Sequence, residues 1–310
     1  MKEDSRILIA GGSGFIGKAL AARFAQEGTV VHVLSRQVER QEASAKQNIR
    51  YFYWNPRQKE IDLNAFEQVE TLINLSGANI GEKRWTQKRK TEIFDSRVQT
   101  TRFLFEVIRS NSFPVHTVVS ASAVGYYGMK TLENQTLSED SPKGDDFLSS
   151  VCNQWEKEAL QFHELGTRVV ILRQGVVLGK EGGIYQKLFA LAKWGINVSL
   201  GSGRQYLPWI SMADMVALYY FCVRNTSIDG IFNAVADEQV TMQEFARKLS
   251  QSLHRPILTP AVPAFVLRLM LGDMSQMLLQ GTKVSNRKIR NTPFQFECLT
   301  LAQAFDEILI

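Results

Sequence analysis

The feature that most narrows what this chain can become is the heptad Gly11-Gly12-Ser13-Gly14-Phe15-Ile16-Gly17, which joins an apolar run at 6–10 to a helical pattern. The run RILIA reads as a buried strand. Phe15, Ile16, Leu20, Ala21 and Phe24 then recur at helical spacing up to Gly28, a fitting C-cap. A GxxGxxG turn between strand and helix bends tightly and brings backbone against a pyrophosphate with no Cβ in the way. The helix beyond it offers free N–H groups and the positive end of its dipole. Glycines alone are weak evidence, but here a strand precedes them, they open a helix, and the run VVHVL at 30–34 follows as a second strand. That is the context in which such a turn binds a dinucleotide.

The alternation continues. Strands are expected at 51–53, 71–75, 116–119 and 167–172, with helices over 92–109 and 146–165 between them. Strand and helix at this spacing imply right-handed crossovers and a parallel sheet, hence an α/β, doubly wound architecture. Residues 182–208 read as loop, and a strand–helix rhythm returns over 209–223 and 231–250. Pro256, Pro260 and Pro263 mark a linker into a C-terminal lobe with helical patterns at 265–271 and 274–279. With 310 residues, 45% hydrophobic and 22% charged, the chain is an ordinary globular protein, which excludes disorder, collagen-like repeats and coiled coils for its bulk. The N-terminal apolar stretch is too short for a signal peptide, and no run is long enough to span a membrane. Cys152, Cys222 and Cys298 lie far apart with no CxxC pair, and the four histidines lack ligand spacing. The expectation is a cytoplasmic protein with no membrane association, no disulfide framework and no metal.

The second strand decides which dinucleotide is expected. NAD-binding chains place Asp or Glu at its end to accept from the ribose 2′-hydroxyl. Here the position holds Ser35-Arg36, with Arg40 a turn further on. A hydroxyl and a guanidinium would hold a 2′-phosphate that a carboxylate would repel, so NADP(H) is expected rather than NAD(H).

Further motifs run nearly end to end: NLSGANI (74–80), RW and SRVQTTR (84–85, 96–102), SASAVGYYG (120–128), GDDFLSSVCNQWE (144–156), LRQGVVLGKEGG (172–183), GSGRQYLPWISMAD (201–214) and VPAFVLRLMLGD (262–273). Together with the glycine turn they resemble the extended short-chain dehydrogenase/reductase superfamily. Within it they are similar to the atypical NAD-dependent epimerase/dehydratase-like "epimerase family" proteins with a small C-terminal domain. The resemblance implies a Rossmann-type domain over 1–180, with 209–236 returning to it. A substrate-side lobe would comprise 181–208 and 237–310, its small C-terminal domain at about 258–308. It also implies that Leu75 and Ser76 run past the adenosine and ribose, that Glu92 and Arg97 form a pair meeting the cofactor, and that Val177 covers the nicotinamide.

The chemistry departs from the superfamily's pattern. Its alcohol-oxidising members use a Tyr and a Lys four residues later, the lysine lowering the tyrosine pKa, plus a Ser or Thr that holds the substrate oxygen. Ser122 fits the last role, but Phe147 and Val151 stand where Tyr and Lys should be, and neither moves a proton. Tyr126 and Tyr127 lie close by in sequence: Tyr127 is the candidate acid/base, with Lys130 near enough to tune it, and Tyr126 a pocket residue. Arg204 and Gln205 offer donors to an anionic substrate. Asp214 reads as a helix N-cap, and Trp85 and Trp155-Glu156 as packing and surface pairing.

Three functions follow. The first is an NADP(H)-dependent oxidoreductase or epimerase-like enzyme acting on a small, sugar- or nucleotide-linked molecule. The second is a non-catalytic NADP(H)-binding sensor or scaffold that has lost the Tyr/Lys dyad. The third, nucleic-acid binding, rests on Lys83, Arg84, Lys88, Arg89 and Lys90 around Trp85 and on a net charge of +5. Basic residues beside a cofactor-binding helix need no polynucleotide to explain them, so an anionic small molecule is the expected partner.

Overall fold

The computed structural model describes residues 6–38, 48–130 and 135–309. The chain opens with β1 (Arg6–Ala10), α1 (Phe15–Gln26), β2 (Val31–Ser35) and β3 (Ile49–Asn55), which the short β4 (Glu60–Ile61) joins antiparallel. β5 (Val69–Asn74), α2 (Gln87–Asp95), α3 (Val98–Asn111), β6 (Thr117–Ala123), β7 (Thr136–Leu137), α4 (Phe147–Leu160) and β8 (Arg168–Gln174) follow. After β9 (Val176–Leu178), α5 (Gly183–Lys193), β10 (Trp209–Ser211) and α6 (Met212–Arg224), the strand β11 (Gly230–Ala234) completes the central sheet. Its order is β11-β8-β6-β5-β1-β2-β3-β4, every neighbouring pair parallel except β3 with β4. From β1 the chain first builds outward through β2 and β3, then crosses to β5 and builds the other way. The topological switch point therefore lies between β1 and β5, where open α/β sheets hold their ligands.

Alternation along the strands sorts side chains onto two covered faces. Ile7, Ile9, Val119, Val170 and Leu172 pack under α1 and α6, against Leu20, Phe24, Met215, Leu218 and Tyr219. Leu8, Ala10, Val118, Val169 and Ile171 pack under α3 and α4, against Phe103, Leu104, Ile108 and Ala159. The same period carries Ser122 and Arg173, each beyond these apolar stretches, onto the α4 face.

A second core forms from α5, α7 (Met242–Ser252), α8 (Ala264–Leu271) and α11 (Leu301–Leu309) around Trp209, Phe245, Leu249 and Phe305. Between α8 and α11 run α9 (Gln276–Leu279), β12 (Lys283–Val284), which pairs with β7, and α10 (Arg287–Arg290). A capping box of Thr241 and Glu244 starts α7. Among the described residues no helix is long and apolar enough to cross a membrane.

Three local expectations are corrected. Residues 182–208 are not all loop, since α5 occupies 183–193; its apolar pattern is blurred because Leu191 and the following Trp194 are exposed while Leu188 and Ala192 are buried. The helix expected over 92–109 is two helices. Ser96 Oγ accepts from the Ala78 N–H (2.9 Å) and donates to the Ile93 carbonyl (3.1 Å), which pins the break to the loop after β5. Asp214 does not cap α6: Ser211 does, accepting from the Asp214 N–H. Asp214 is instead fully buried, a site where desolvation raises its pKa. It accepts from the N–H groups of Glu297 (2.8 Å) and Cys298 (3.2 Å) and so ties the C-terminal segment to α6.

Gly17 is where α1 touches β1's end: a Cβ there would run into the Gly11 carbonyl oxygen and the Gly12 Cα. Gly17→Ala is expected to lower the unfolding free energy by about 2 kcal/mol or more, within the range of overpacked cores. Gly81→Ala, whose Cβ would meet nothing nearer than 3.7 Å, should stay within about 0.5 kcal/mol. Urea denaturation of both variants checks this.

Candidate functional site

The glycine turn ends β1 at the switch point. Gly11 has φ +81°, a conformation that costs glycine nothing, and a Cβ on it would stand 2.8 Å from the Leu75 carbonyl carbon and 3.1 Å from the Ser76 nitrogen. The close approach brings Gly11 against Leu75 and Ser76. Gly14 precedes the first turn of α1, and no side chain caps that helix. The Phe15 ring packs on Gly179 and Gly182 just after β9, and Gly183 lies beside the Val177 carbonyl. Phe15, Ile16 and half-buried Val177 therefore share one wall. Ser76 is buried and its Oγ has no hydrogen-bond partner among the described residues, while Asn74 Oδ1 holds the Ser76 N–H at 3.1 Å.

Ser35 ends β2, buried, its Oγ accepting from the Gln37 N–H at 3.1 Å. Arg36 follows it, exposed, and no described carboxylate pairs with it. Arg40 lies outside the described residues.

Arg97 and Glu92 are not a pair. Glu92 accepts from Arg89 (2.6 Å) and Arg57 (2.6 Å), and these two bonds hold its carboxyl below the ordinary range. Arg89, buried, also donates to the Asn79 carbonyl, so Glu92 braces the loop after β5 through a neighbour. Arg97 is half-buried against Gly77. It donates to the carbonyls of Ala78 (3.0 Å) and Ile93 (3.2 Å), and its Cζ stands 5.4 Å from the Trp155 ring centroid. No described carboxylate meets it, and desolvation lowers its pKa to about 10.

Toward the carboxyl ends of β6, β8 and β11 lies a buried polar row across three strands. Ser122 on β6 and Asn233 on β11 both stand in register with Arg173 on β8. Arg173 is 1% exposed and Glu156 4% exposed, and they form a bidentate pair, Nε to Oε1 at 2.9 Å and Nη2 to Oε2 at 2.8 Å. Ser122 Oγ donates to Glu156 Oε1 at 2.6 Å. Arg173 Nη1 donates to the Tyr127 hydroxyl (3.0 Å), which donates to Asn233 Oδ1 (2.6 Å), and Arg173 Cζ lies 3.4 Å from the Tyr126 ring centroid. Against the desolvation of burial, the Glu156 carboxylate holds the guanidinium above its ordinary pKa. Glu156, expected as surface pairing, is thus the centre of a buried network. Its signal was its place on the buried face of α4 with Leu148, Cys152 and Trp155, opposite a charge in the apolar run of β8.

Tyr127 is buried, and desolvation pushes its phenol up to about 12 against the pull of Arg173. It stays protonated at neutral pH, unlike a phenol tuned downward to act as a base. Lys130 does not tune it: it is exposed and pairs with Asp145 at 2.7 Å. Phe147 and Val151 stand with Trp85, Leu148 and Met274 in an apolar cluster. Gln205 is buried and donates to the carbonyls of Leu200 (2.8 Å) and Leu278 (2.7 Å), a brace of the second core rather than an open substrate donor. Arg204 is exposed next to it. In the basic cluster, Lys83 pairs with Glu82, Arg89 with Glu82 and Glu92, and Lys90 with Asp273. The described residues contain no group of three or more His, Cys, Asp and Glu placed to hold a metal ion.

A glycine-turned crevice at the switch point of a doubly wound sheet defines a protein of the dinucleotide-fold α/β class. The chain belongs to the NAD dependent epimerase/dehydratase family, whose model matches residues 7–234; a domain of unknown function, DUF1731, matches 262–308. It is 34% identical over 300 residues to epimerase family protein ML0860 of Mycobacterium leprae (strain TN), covering 96% of this chain and 94% of that one. It is also 34% identical over 303 residues to epimerase family protein SAR0825 of Staphylococcus aureus (strain MRSA252), covering 97% and 98%. The crystal structure of human epimerase family protein SDR39U1 (isoform2) with NADPH superposes with a TM-score of 0.85 at 29% identity, covering 98% of this chain and 99% of that one.

Two outcomes are expected here. Glu156→Ala strands a buried guanidinium and should cost about 3–5 kcal/mol in guanidinium chloride denaturation, most of it recovered when Arg173→Met is added. In a spectrophotometric titration, Tyr127→Phe should remove no tyrosinate signal near the ordinary pKa of about 10, but one step near 12. The raised phenol pKa has a definite sign: its contribution to stability is complete below pH 10 and lost as the pH rises toward 12.

Proposed function

We propose that this protein is an NADP(H)-dependent oxidoreductase or epimerase-like enzyme acting on a small, anionic, sugar- or nucleotide-linked molecule. The observation that carries the reading is the crevice at the switch point. There Gly11, in the turn that leads into an uncapped helix, abuts Leu75 and Ser76, and among the described residues the Ser76 hydroxyl has no partner and Arg97 meets no carboxylate. These features fit a dinucleotide: Gly11–Gly17 would hold the pyrophosphate, Leu75 and Ser76 the adenosine side, Arg97 an anionic group, and Ser35 with Arg36 a 2′-phosphate. Bound there, a nicotinamide supplies or accepts hydride. That SDR39U1 was crystallised with NADPH supports the choice of cofactor. We assign 1–180 and 209–236 to the cofactor and 181–208 and 237–310 to the substrate. The three free, buried cysteines suit a reducing, cytoplasmic compartment.

A second reading, an NADP(H)-binding sensor or scaffold without turnover, draws support from the apolar packing of Phe147 and Val151 where the superfamily's proton-transfer dyad would stand. Fluorescence titration with NADPH and NADH tests the cofactor. NADPH should bind more tightly, and Arg36→Ala should weaken it by about 10- to 100-fold, the worth of a charge-assisted hydrogen bond, with NADH nearly unchanged. Equal losses for both would refute the 2′-phosphate role. Consumption of NADPH in the presence of a panel of carbonyl compounds and nucleotide-diphosphate sugars favours the enzyme. Tight binding with no turnover of any of them favours the sensor.

A further inference from the structure

The described surface carries its most exposed apolar side chains in one region. Trp194, Leu258, Phe265, Leu269 and Met270 are each 67% exposed or more, and no other large apolar side chain among the described residues exceeds 46%. All five stand around the second core: just after α5, in the linker, and on α8. Single exposed apolar residues need no explanation, but a set gathered in one region marks a contact.

Backbone holds the set together. The Leu258 N–H donates to the Gly195 carbonyl (2.8 Å), the Val262 N–H to the Ser199 carbonyl (3.1 Å) and the Gly201 N–H to the Val262 carbonyl (2.9 Å). The stretches 195–201 and 258–262 therefore run side by side. At one end a Cβ on Gly195 would stand 2.9 Å from Leu258 Cδ1, so Leu258 lies against the residue that follows Trp194. At the other end α8 begins near Gly201, where a Cβ would lie 3.9 Å from the Ala264 Cβ. On α8, Phe265, Arg268 and Leu269 share the exposed face, while Leu267 turns into the core.

Charge in this region has one sign. The sequence has no Asp or Glu between Glu181 and Asp214, and none between Glu244 and Asp273, while the two stretches hold seven Lys and Arg. Lys248 is spent on Glu238. Lys193, Arg255 and Arg268 are exposed, each within three residues of an exposed apolar side chain, and none forms an ion pair among the described residues.

We infer that this face docks on an anionic lipid bilayer, its apolar side chains entering the headgroup region and its cations meeting lipid phosphates. A second copy of the chain would set like charges against each other. The side chains stand out as knobs, which suits a fluid surface better than a partner helix that needs a groove. An indole beside a lysine is amphipathic in the way that a membrane interface favours. Among the described residues no helix can cross a bilayer, so the contact is with its surface. The expectation of no membrane association rested on the length of apolar runs and does not reach such a contact. Nothing in it depends on what the crevice binds.

Vesicle flotation tests the docking, with vesicles of pure phosphatidylcholine and of phosphatidylcholine and phosphatidylglycerol mixed two to one. The protein should float with the mixed vesicles and stay behind with the neutral ones. Raising the salt from about 0.1 M to about 1 M, which shortens the screening length from about 10 to about 3 Å, should weaken attachment. Leu269→Glu should weaken it by about 100-fold, through lost burial and added repulsion. Arg268→Ser should weaken it by about 5-fold, the worth of one basic residue at an anionic surface. Both sites are exposed, and unchanged circular dichroism and melting confirm that the variants fold.

A second readout places the contact. Of the five tryptophans only Trp194 is exposed, and Trp54, Trp85, Trp155 and Trp209 are 8% exposed or less. Mixed vesicles should shift the emission to the blue, and brominated lipid chains should quench it, in the wild type but not in Trp194→Phe. No flotation with mixed vesicles, attachment that Leu269→Glu leaves intact, or an unchanged wild-type emission overturns the proposal. So does a dimer in light scattering that Leu269→Glu converts to a monomer, which would give the face to a second copy.

Discussion

Arg173 and Glu156 bring opposite charges into a place where water cannot reach either, between the last turns of α4 and the carboxyl end of β8. Desolvating two ions costs several kcal/mol each and is offset only by good geometry and further hydrogen bonds. Here both conditions hold: the contact is bidentate, and the spare donors reach Tyr127 and the Glu139 carbonyl. The pair therefore does more than join a helix to a strand. It fixes the ring of Tyr126, the hydroxyl of Tyr127 and the direction of the Ser122 proton at once. Through Asn233, whose Nδ2 donates to the Ser285 carbonyl, it also reaches the C-terminal segment.

The glycine turn and the buried polar row are thus built by different physics. At the nucleotide end, backbone does the shaping: glycines let β1, α1 and the loop after β5 meet closer than any side chain allows. Toward the carboxyl ends of β6, β8 and β11, side chains do it, through the buried network of Arg173 and Glu156. Phe147 and Val151 pack in a further apolar cluster with Met274, and Lys90 pairs with Asp273 at 2.6 Å next to it. Apolar side chains stand there where the superfamily resemblance expects a tyrosine and a lysine.

Much of this was legible in the chain. The strand β1 and the glycine turn were readable because their meaning is local: bend, close approach, helix start. Strand periodicity likewise placed most of the sheet, although the ends shifted by a few residues. What escaped depended on tertiary contact. The break at Ser96 is set by the Ala78 N–H, and the true role of Asp214 by Glu297 and Cys298, eighty and more residues away. Gln205 looked like a substrate donor until Leu278 took its amide. Glu156 was missed although its helical spacing put it on a buried face; only an opposite charge inside the apolar β8 pattern hinted at its partner.

The central claim is that a nicotinamide dinucleotide lies in the β1–β5 crevice with its reactive end toward the Ser122–Arg173 row. A crystal structure of the protein grown with NADPH tests it most directly. The account predicts pyrophosphate density on the N–H groups of Gly12 to Ile16 and the nicotinamide ring beside Ser122, with the Arg173–Glu156 pair undisturbed. Density for the dinucleotide elsewhere, or a nicotinamide directed away from Ser122, would contradict it.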